Sequence, residues 1–168
     1  MLYADLPVAR ASVEINASPA DVWALVGDVQ LMVKLSAELL EITWLDGVDA
    51  PAVGHRFRAR SFHAALGEWE STSTVVEWEP EKAFTWDVDA GQDERPSSTW
   101  GFVLDRAGAA TTLQQWGRMG PGRSGLSFAI DRLPHKEAKI VANRMQEFRS
   151  GIESNLEAIK ALAEKAAA

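Results

Sequence analysis

Cysteine is absent from this chain of 168 residues, which excludes disulfides, thiolate metal ligands and a thiol nucleophile. Tyrosine occurs once, at Tyr3, and histidine three times, at His55, His63 and His135, so phenolic and imidazole chemistry have few places to reside. No apolar run reaches the roughly 18 residues that a membrane-crossing helix needs, and stable membrane insertion is not expected. The first residues show no basic start followed by an apolar stretch, so the expected compartment is the cytoplasm. Basic residues are scarce through most of the chain. Residues 1–117 carry 8 Lys/Arg against 18 Asp/Glu, a balance of −10, whereas residues 118–168 carry 9 against 6, a balance of +3. An acidic body does not neutralise phosphates, and nucleic acid is not an expected partner.

Hydrophobic residues make up 46% of the sequence, enough for a sizeable core in one domain, placed at 9–165 with 1–8 as an N-terminal extension. Seven of the fourteen aromatic residues are tryptophan, and six of these fall between Trp44 and Trp116. Several such side chains on one wall make a bulky core or an aromatic-lined cavity.

Ala11 to Ile15 alternates as a short strand. In Ser18-Pro19-Ala20-Asp21 the serine caps a helix, proline suits its first turn, and the acid favours the positive helix end. That helix runs to Val26 and stops at Gly27, and a second short helix covers Gln30 to Ser36. Strand patterns then fill Leu39–Leu45, His55–His63, Glu68–Glu79, Lys82–Asp89, Ser98–Asp105 and Thr111–Arg118, a meander joined by short turns. Residues 119–134 hold three glycines and two prolines around Leu126, Phe128, Ala129 and Ile130, and read as an irregular segment. After Pro134 one long helix persists to about Glu164. Val141, Met145, Phe148, Ile152, Leu156, Ile159 and Ala163 form its apolar stripe. Lys139, Asn143, Glu147, Ser150, Glu153, Glu157 and Lys160 form the opposite side. Gly151 inside it costs about 1 kcal/mol relative to alanine and suggests a close approach to something bulky.

This order gives an α+β domain in which only the last helix is long enough to cover the sheet. The sequence here resembles the START-like, Bet v 1-like helix-grip superfamily (SRPBCC), including its polyketide cyclase/dehydrase and lipid-transport group. The residues that carry the resemblance are Ala17-Ser18-Pro19-Ala20-Asp21-Val22-Trp23 with Asp28, Gly54-His55-Arg56-Phe57-Arg58-Ala59-Arg60, Glu68-Trp69-Glu70, Trp86, Trp100 and the closing helix. It implies a helix-grip fold: a curved antiparallel sheet wrapped around a long C-terminal helix, with two short helices after the first strand. It also implies a hydrophobic small molecule as partner, held as a carrier or binding protein would hold it. The alternative it implies is a polyketide cyclase or dehydratase acting on a bound poly-β-keto or aromatic substrate. No cofactor is expected.

Strand parity assigns the candidate site. Arg56, Arg58 and Arg60 alternate on one face that must meet solvent, since three arginines are costly to bury, and Glu68, Glu70, Thr72 and Thr74 can pair with them across strands. The other face, turned inward, offers Phe57, Ala59, Ser61 and His63, then Trp69 and Ser71, then Trp86, Trp100, Phe102 and Gln115, with Leu113 beside them. Val141, Met145, Phe148 and Ile152 face them from the helix. Small residues beside large aromatics predict a mostly apolar cavity with a few polar groups.

His63 is the best acid–base candidate, since its unperturbed pKa lies near neutrality, although no acid is identifiable as its orienting partner. His55 shares its parity but lies roughly 26 Å away along the strand, so the two share no metal, and no other ligand set has suitable spacing. His135 opens the long helix. Gly117 to Ser124 departs from a phosphate loop in carrying Arg123 where lysine is required. It reads as a flexible rim from which Arg118, Arg123, Arg132 and Lys136 would attract an acidic head group.

Overall fold

The computed structural model describes the whole chain, Met1–Ala168. Its elements are β1 (Val8–Ile15), α1 (Pro19–Val26), α2 (Val29–Leu35), β2 (Leu39–Trp44), β3 (Arg56–His63), β4 (Gly67–Glu79), β5 (Ala83–Asp89), β6 (Ser98–Ala107), β7 (Ala110–Met119), α3 (Gly125–Arg132) and α4 (Glu137–Ala167). Ser18 caps α1 by accepting from the Asp21 amide, and Asp28 caps α2 by accepting from the Gln30 amide. All seven strands form one curved antiparallel sheet in the order β1-β7-β6-β5-β4-β3-β2. The meander is sequential from β2 to β7, and β1 closes it by pairing with β7. This is the helix-grip architecture.

The core lies between the concave face of the sheet and the helices. Val141, Met145, Ile152, Leu156, Ile159 and Ala163 of α4 are buried, and each of the larger ones contributes about 1.5–3 kcal/mol by leaving water. α4 does not cover the sheet evenly. It lies close along β1 and against α1, while its backbone stands off β3 to β6. Gly151 faces open space, so the close approach suggested for it does not occur, and nothing in the structure explains it.

β1 starts three residues earlier than its alternation suggests, because Val8 already pairs with Arg118. The N-terminal residues dock as well: the Tyr3 hydroxyl donates to the Gly122 carbonyl at 2.6 Å. The 119–134 segment is not irregular throughout. Ser124 caps α3, accepting from the Leu126 amide, and Leu126 and Ser127 are buried beneath it. Nor is 117–124 a flexible rim. The Gly120 and Gly122 amides donate to the carbonyls of Ser97 and Pro96 at 2.8 Å each. A Cβ on Gly122 would stand 2.1 Å from the Arg95 carbonyl oxygen, so that backbone contact is open only to glycine.

The far end of α4 is tied down by Glu164. Its carboxylate accepts from the Asn16 amide at 2.9 Å and pairs with Lys160 at 3.1 Å. The backbone hydrogen bond first, and Lys160 second, hold its pKa below the ordinary carboxylate value. A depressed acid stabilises the fold above the unfolded-state pKa and loses that contribution as pH falls through its folded value. Glu164→Gln is therefore expected to lower the urea midpoint near neutral pH and to lower it progressively less as pH falls through the acid range, which parallel unfolding curves over a series of pH values would check.

Candidate functional site

On β3, Phe57, Ala59 and Ser61 are buried and His63 is partly buried, because odd positions of this strand face inward. Cross-strand pairing carries that face onward: Ala59 opposes Ser71, Ser61 opposes Trp69 and Phe57 opposes Ser73. Val75 opposes Trp86, Trp86 opposes Trp100, and Phe102 opposes both Phe84 and Gln115. All fourteen candidate residues lie on the side of the sheet and helix that faces the interior. The arginine row lies outside. Arg60 pairs with Glu68 at 3.0 Å and with Glu41 at 3.4 Å, and Arg56 with Asp46 at 3.0 Å. Hydrogen bonding to Glu68 raises the Arg60 pKa. The row is a ladder that braces β2, β3 and β4.

A bulge between Val75 and Glu77 shifts the β4–β5 register. The extra residue moves the inward face of β4 from odd to even positions, so Trp78, which unbroken alternation sends to solvent, turns inside. Its ring packs at a tilt against Trp23 at 4.6 Å and meets Phe84 edge-on at 5.1 Å. Gly27, which ends α1, leaves room for it: a Cβ there would stand 2.9 Å from the Trp78 ring. The strands after the bulge keep their assigned faces because each carries its own aromatic alternation.

The wide gap where α4 stands off the sheet is filled by the chain itself. Phe57, Trp86 and Phe102 form a row with ring centroids 6.5 and 6.0 Å apart, and Trp100 meets Phe148 of α4 at 4.6 Å. The expectation of a ready-made cavity is thus not met. One small apolar void has a volume of about 10 Å³, room for about one water. It lies where Leu25, Val26, Leu31, Met32 and Leu35 of the short helices approach Phe102, Asn155 and Ile159. Asn155, which helical periodicity places beside the apolar stripe, donates to buried Gln115 at 3.4 Å; sequence reasoning left it out.

At the N-terminal half of α4 the gap is bridged by charge. Arg144, only 12% exposed, forms a two-pronged pair with Glu38, just before β2, at 2.6 and 2.8 Å. It also pairs with Glu147 at 2.8 Å and lies over the Phe148 ring at 5.0 Å. Burial works against its charge, but the hydrogen bonds to Glu38 and Glu147 outweigh it and hold its pKa above the usual arginine value. His63 joins this cluster, with Nε2 3.4 Å from the Glu147 carboxylate.

Glu147 therefore corrects two expectations: though still exposed, it turns to the sheet side of α4 instead of away from it, and His63 does have an acid beside it. The Ala65 amide donates to His63 Nδ1 at 3.1 Å. Because an amide can only donate, Nδ1 holds the lone pair and Nε2 carries the ring proton toward Glu147. The spacing from β3 to mid-α4 is not legible from local pattern, so no sequence signal pairs the two. The ligand atoms of Glu38, His63 and Glu147 lie within 4.8 Å of one another, but Arg144 already engages both carboxylates, and a cation would have to displace it. His55 is elsewhere, with Nδ1 2.8 Å from the Ala50 carbonyl, and His135 is exposed. Arg118 does not join a rim either. It lies on the outer face and donates to Thr99 at 3.0 Å.

Residues 7–164 match the family model described as polyketide cyclase / dehydrase and lipid transport. The chain belongs to this family. No curated protein matches it. Among solved structures, the Polyketide_cyc-like protein Cgl2372 from Corynebacterium glutamicum superposes with a TM-score of 0.67 at 25% identity, covering 94% of this chain and 91% of that one. The di-domain ARO/CYC StfQ of the steffimycin biosynthetic pathway gives a TM-score of 0.69 at 14% identity, over 98% of this chain and 53% of its own. TTHA0849 from Thermus thermophilus gives 0.59 at 18% identity, over 96% and 100%. The last two likenesses concern the fold. In this member of the polyketide cyclase/dehydrase and lipid-transport family, tryptophan and phenylalanine rings line the interior and the Arg144 cluster stands at the edge of the gap. No helix is long and apolar enough to cross a membrane.

Proposed function

We propose that the protein binds a hydrophobic small molecule, lipid-like or aromatic and polyketide-like, in the gap between β3–β6 and α4. The observation that carries this reading is the unequal grip of α4, which packs along β1 while its backbone stands off the opposite half of the sheet. There, small Ala59, Ser61, Ser71 and Ser73 sit among Phe57, Trp86, Trp100 and Phe148. A drug-sized guest needs a few hundred Å³, roughly 300 or more, so it must take the place of side chains that now fill the gap. Phe148 and Trp100 are partly exposed at the edge and move at least cost. The Arg144–Glu38 pair is the one charged tie across that edge, and entry separates it.

His63 supports the alternative, a cyclase or dehydratase. With Nε2–H beside Glu147, His63 can hydrogen-bond a ketone oxygen while the Glu147 carboxylate takes the α-proton, which balances an enolisation. Family membership is compatible with both readings, and one experiment separates them. The protein is titrated with a long-chain fatty acid and with a polycyclic phenol, following tryptophan fluorescence and the shift in Tm, and His63→Ala is compared with the parent. Binding is expected to quench Trp100 and Trp86 and raise Tm. A carrier loses at most about tenfold in affinity on losing one hydrogen bond, whereas a catalyst keeps binding a poly-β-keto substrate and loses turnover. The absence of both quenching and a Tm shift with every probe would reject the proposal.

A further inference from the structure

The stretch from Arg123 to Lys139 contrasts with the rest of the molecule. α3 buries Leu126 and Ser127, yet Phe128 is 48% and Leu133 41% exposed. In the same stretch stand the exposed cations Arg132, Lys136 and Lys139, while Arg123, which pairs with Asp131, lies 5.6 Å above the Phe128 ring. The acids in this stretch are already engaged: Asp131 pairs with Arg123, and Glu137 accepts from the Tyr3 amide. The remaining residues of the chain are strongly acidic, with a whole-chain balance of −7. A basic, aromatic-tipped patch on an acidic body is not what solvation alone requires.

We infer that α3 and the turn after it form a docking surface for a lipid bilayer bearing anionic headgroups. Charge complementarity selects that occupant. Two separate apolar knobs with cations in the same stretch suit insertion at headgroup depth, where aromatic rings are favoured and basic side chains meet phosphate. A stable protein partner would instead need roughly 800 Å² of contiguous surface on each side, far more than the half-exposed Phe128 and Leu133 side chains supply. The acidic remainder of the chain is repelled by the same membrane, which orients the protein with α3 down. Lys136 and Arg144 are eight residues apart on nearly continuous helix, about 12 Å, so a docked bilayer lies close to the Arg144 edge of the gap. The inference does not depend on the ligand proposal, since it concerns the outer surface.

The test is sedimentation of the full chain with vesicles of phosphatidylcholine alone, or of phosphatidylcholine mixed with phosphatidylglycerol. Pelleting is expected only with the acidic vesicles and should fall at high salt, because the attraction is screened within about 8 Å at physiological ionic strength. Arg132→Gln and Lys136→Gln should each weaken binding about fivefold, and Phe128→Ala with Leu133→Ala about tenfold together. These residues are exposed, so the variants keep the parental Tm. The inference is overturned if the parent fails to pellet with acidic vesicles, or if the apolar variant binds as the parent does. It is equally overturned if sedimentation velocity shows a dimer of this chain that the Phe128/Leu133 variant abolishes.

Discussion

Arg144→Met should destabilise the protein by about 2 kcal/mol and at the same time speed the uptake of a hydrophobic probe. Methionine keeps the apolar stem against Phe148 but removes the charge, leaving Glu38 and Glu147 near each other with no cation between them. Breaking a fully buried pair costs roughly 3–5 kcal/mol, but Glu38 and Glu147 are 31% and 44% exposed, so solvent takes up part of the loss. Glu38→Gln should cost less, about 1 kcal/mol, since Arg144 keeps Glu147. The stability arm is read from urea unfolding. The uptake arm is read from stopped-flow quenching of tryptophan by a fatty acid carrying a quencher. If Arg144 were only a peg, uptake would not change beyond what the lower stability explains. Faster uptake in both variants, in the order of their effect on the ion pair, is the outcome the edge-opening route demands.

The parts of this fold that are legible in the sequence are those set by local period. β3 shows a strict alternation, α4 a stripe at steps of three and four, and Ser18-Pro19 a helix start, and each is where its pattern puts it. The same parity put Phe57, Ala59, Ser61 and Ser71 on the inner face, because a half-buried strand has only two sides. What escaped had non-local causes. The β4 bulge inserts one residue and turns Trp78 inward, and bulges leave no compositional mark there. Glu147 looks like a solvated helix residue until the fold brings His63 beside it. The filled interior was missed for a related reason. Small residues on β3 and β4 do leave volume, but whether Trp100 and Phe148 occupy it depends on how far α4 stands from the sheet, and no strand or helix pattern encodes that distance.

The second large effect concerns glycines that face opposite ways on neighbouring strands. On the inner face Trp100 lies over Gly117, where a Cβ would stand 2.6 Å from the indole; on the outer face Trp116 lies over Gly101, where a Cβ would stand 2.7 Å away. Both alanine substitutions demand a shift of a tryptophan, and their freedom to give differs. Trp116 can lift toward solvent. Trp100 is held between Phe148 at 4.6 Å and its own hydrogen bond from Nε1 to Ser98 at 3.1 Å. Gly117→Ala should therefore cost about 3 kcal/mol, at the upper end for overpacking, and Gly101→Ala about 1–2 kcal/mol. The functional consequence separates them further. A displaced Trp100 pushes Phe148 and α4 outward at the place where a guest must enter, so Gly117→Ala alters probe affinity, whereas Gly101→Ala leaves it as in the parent. Equal loss of affinity in the two variants would mean that the inner face is not where the ligand binds, since the outer substitution touches nothing in the gap.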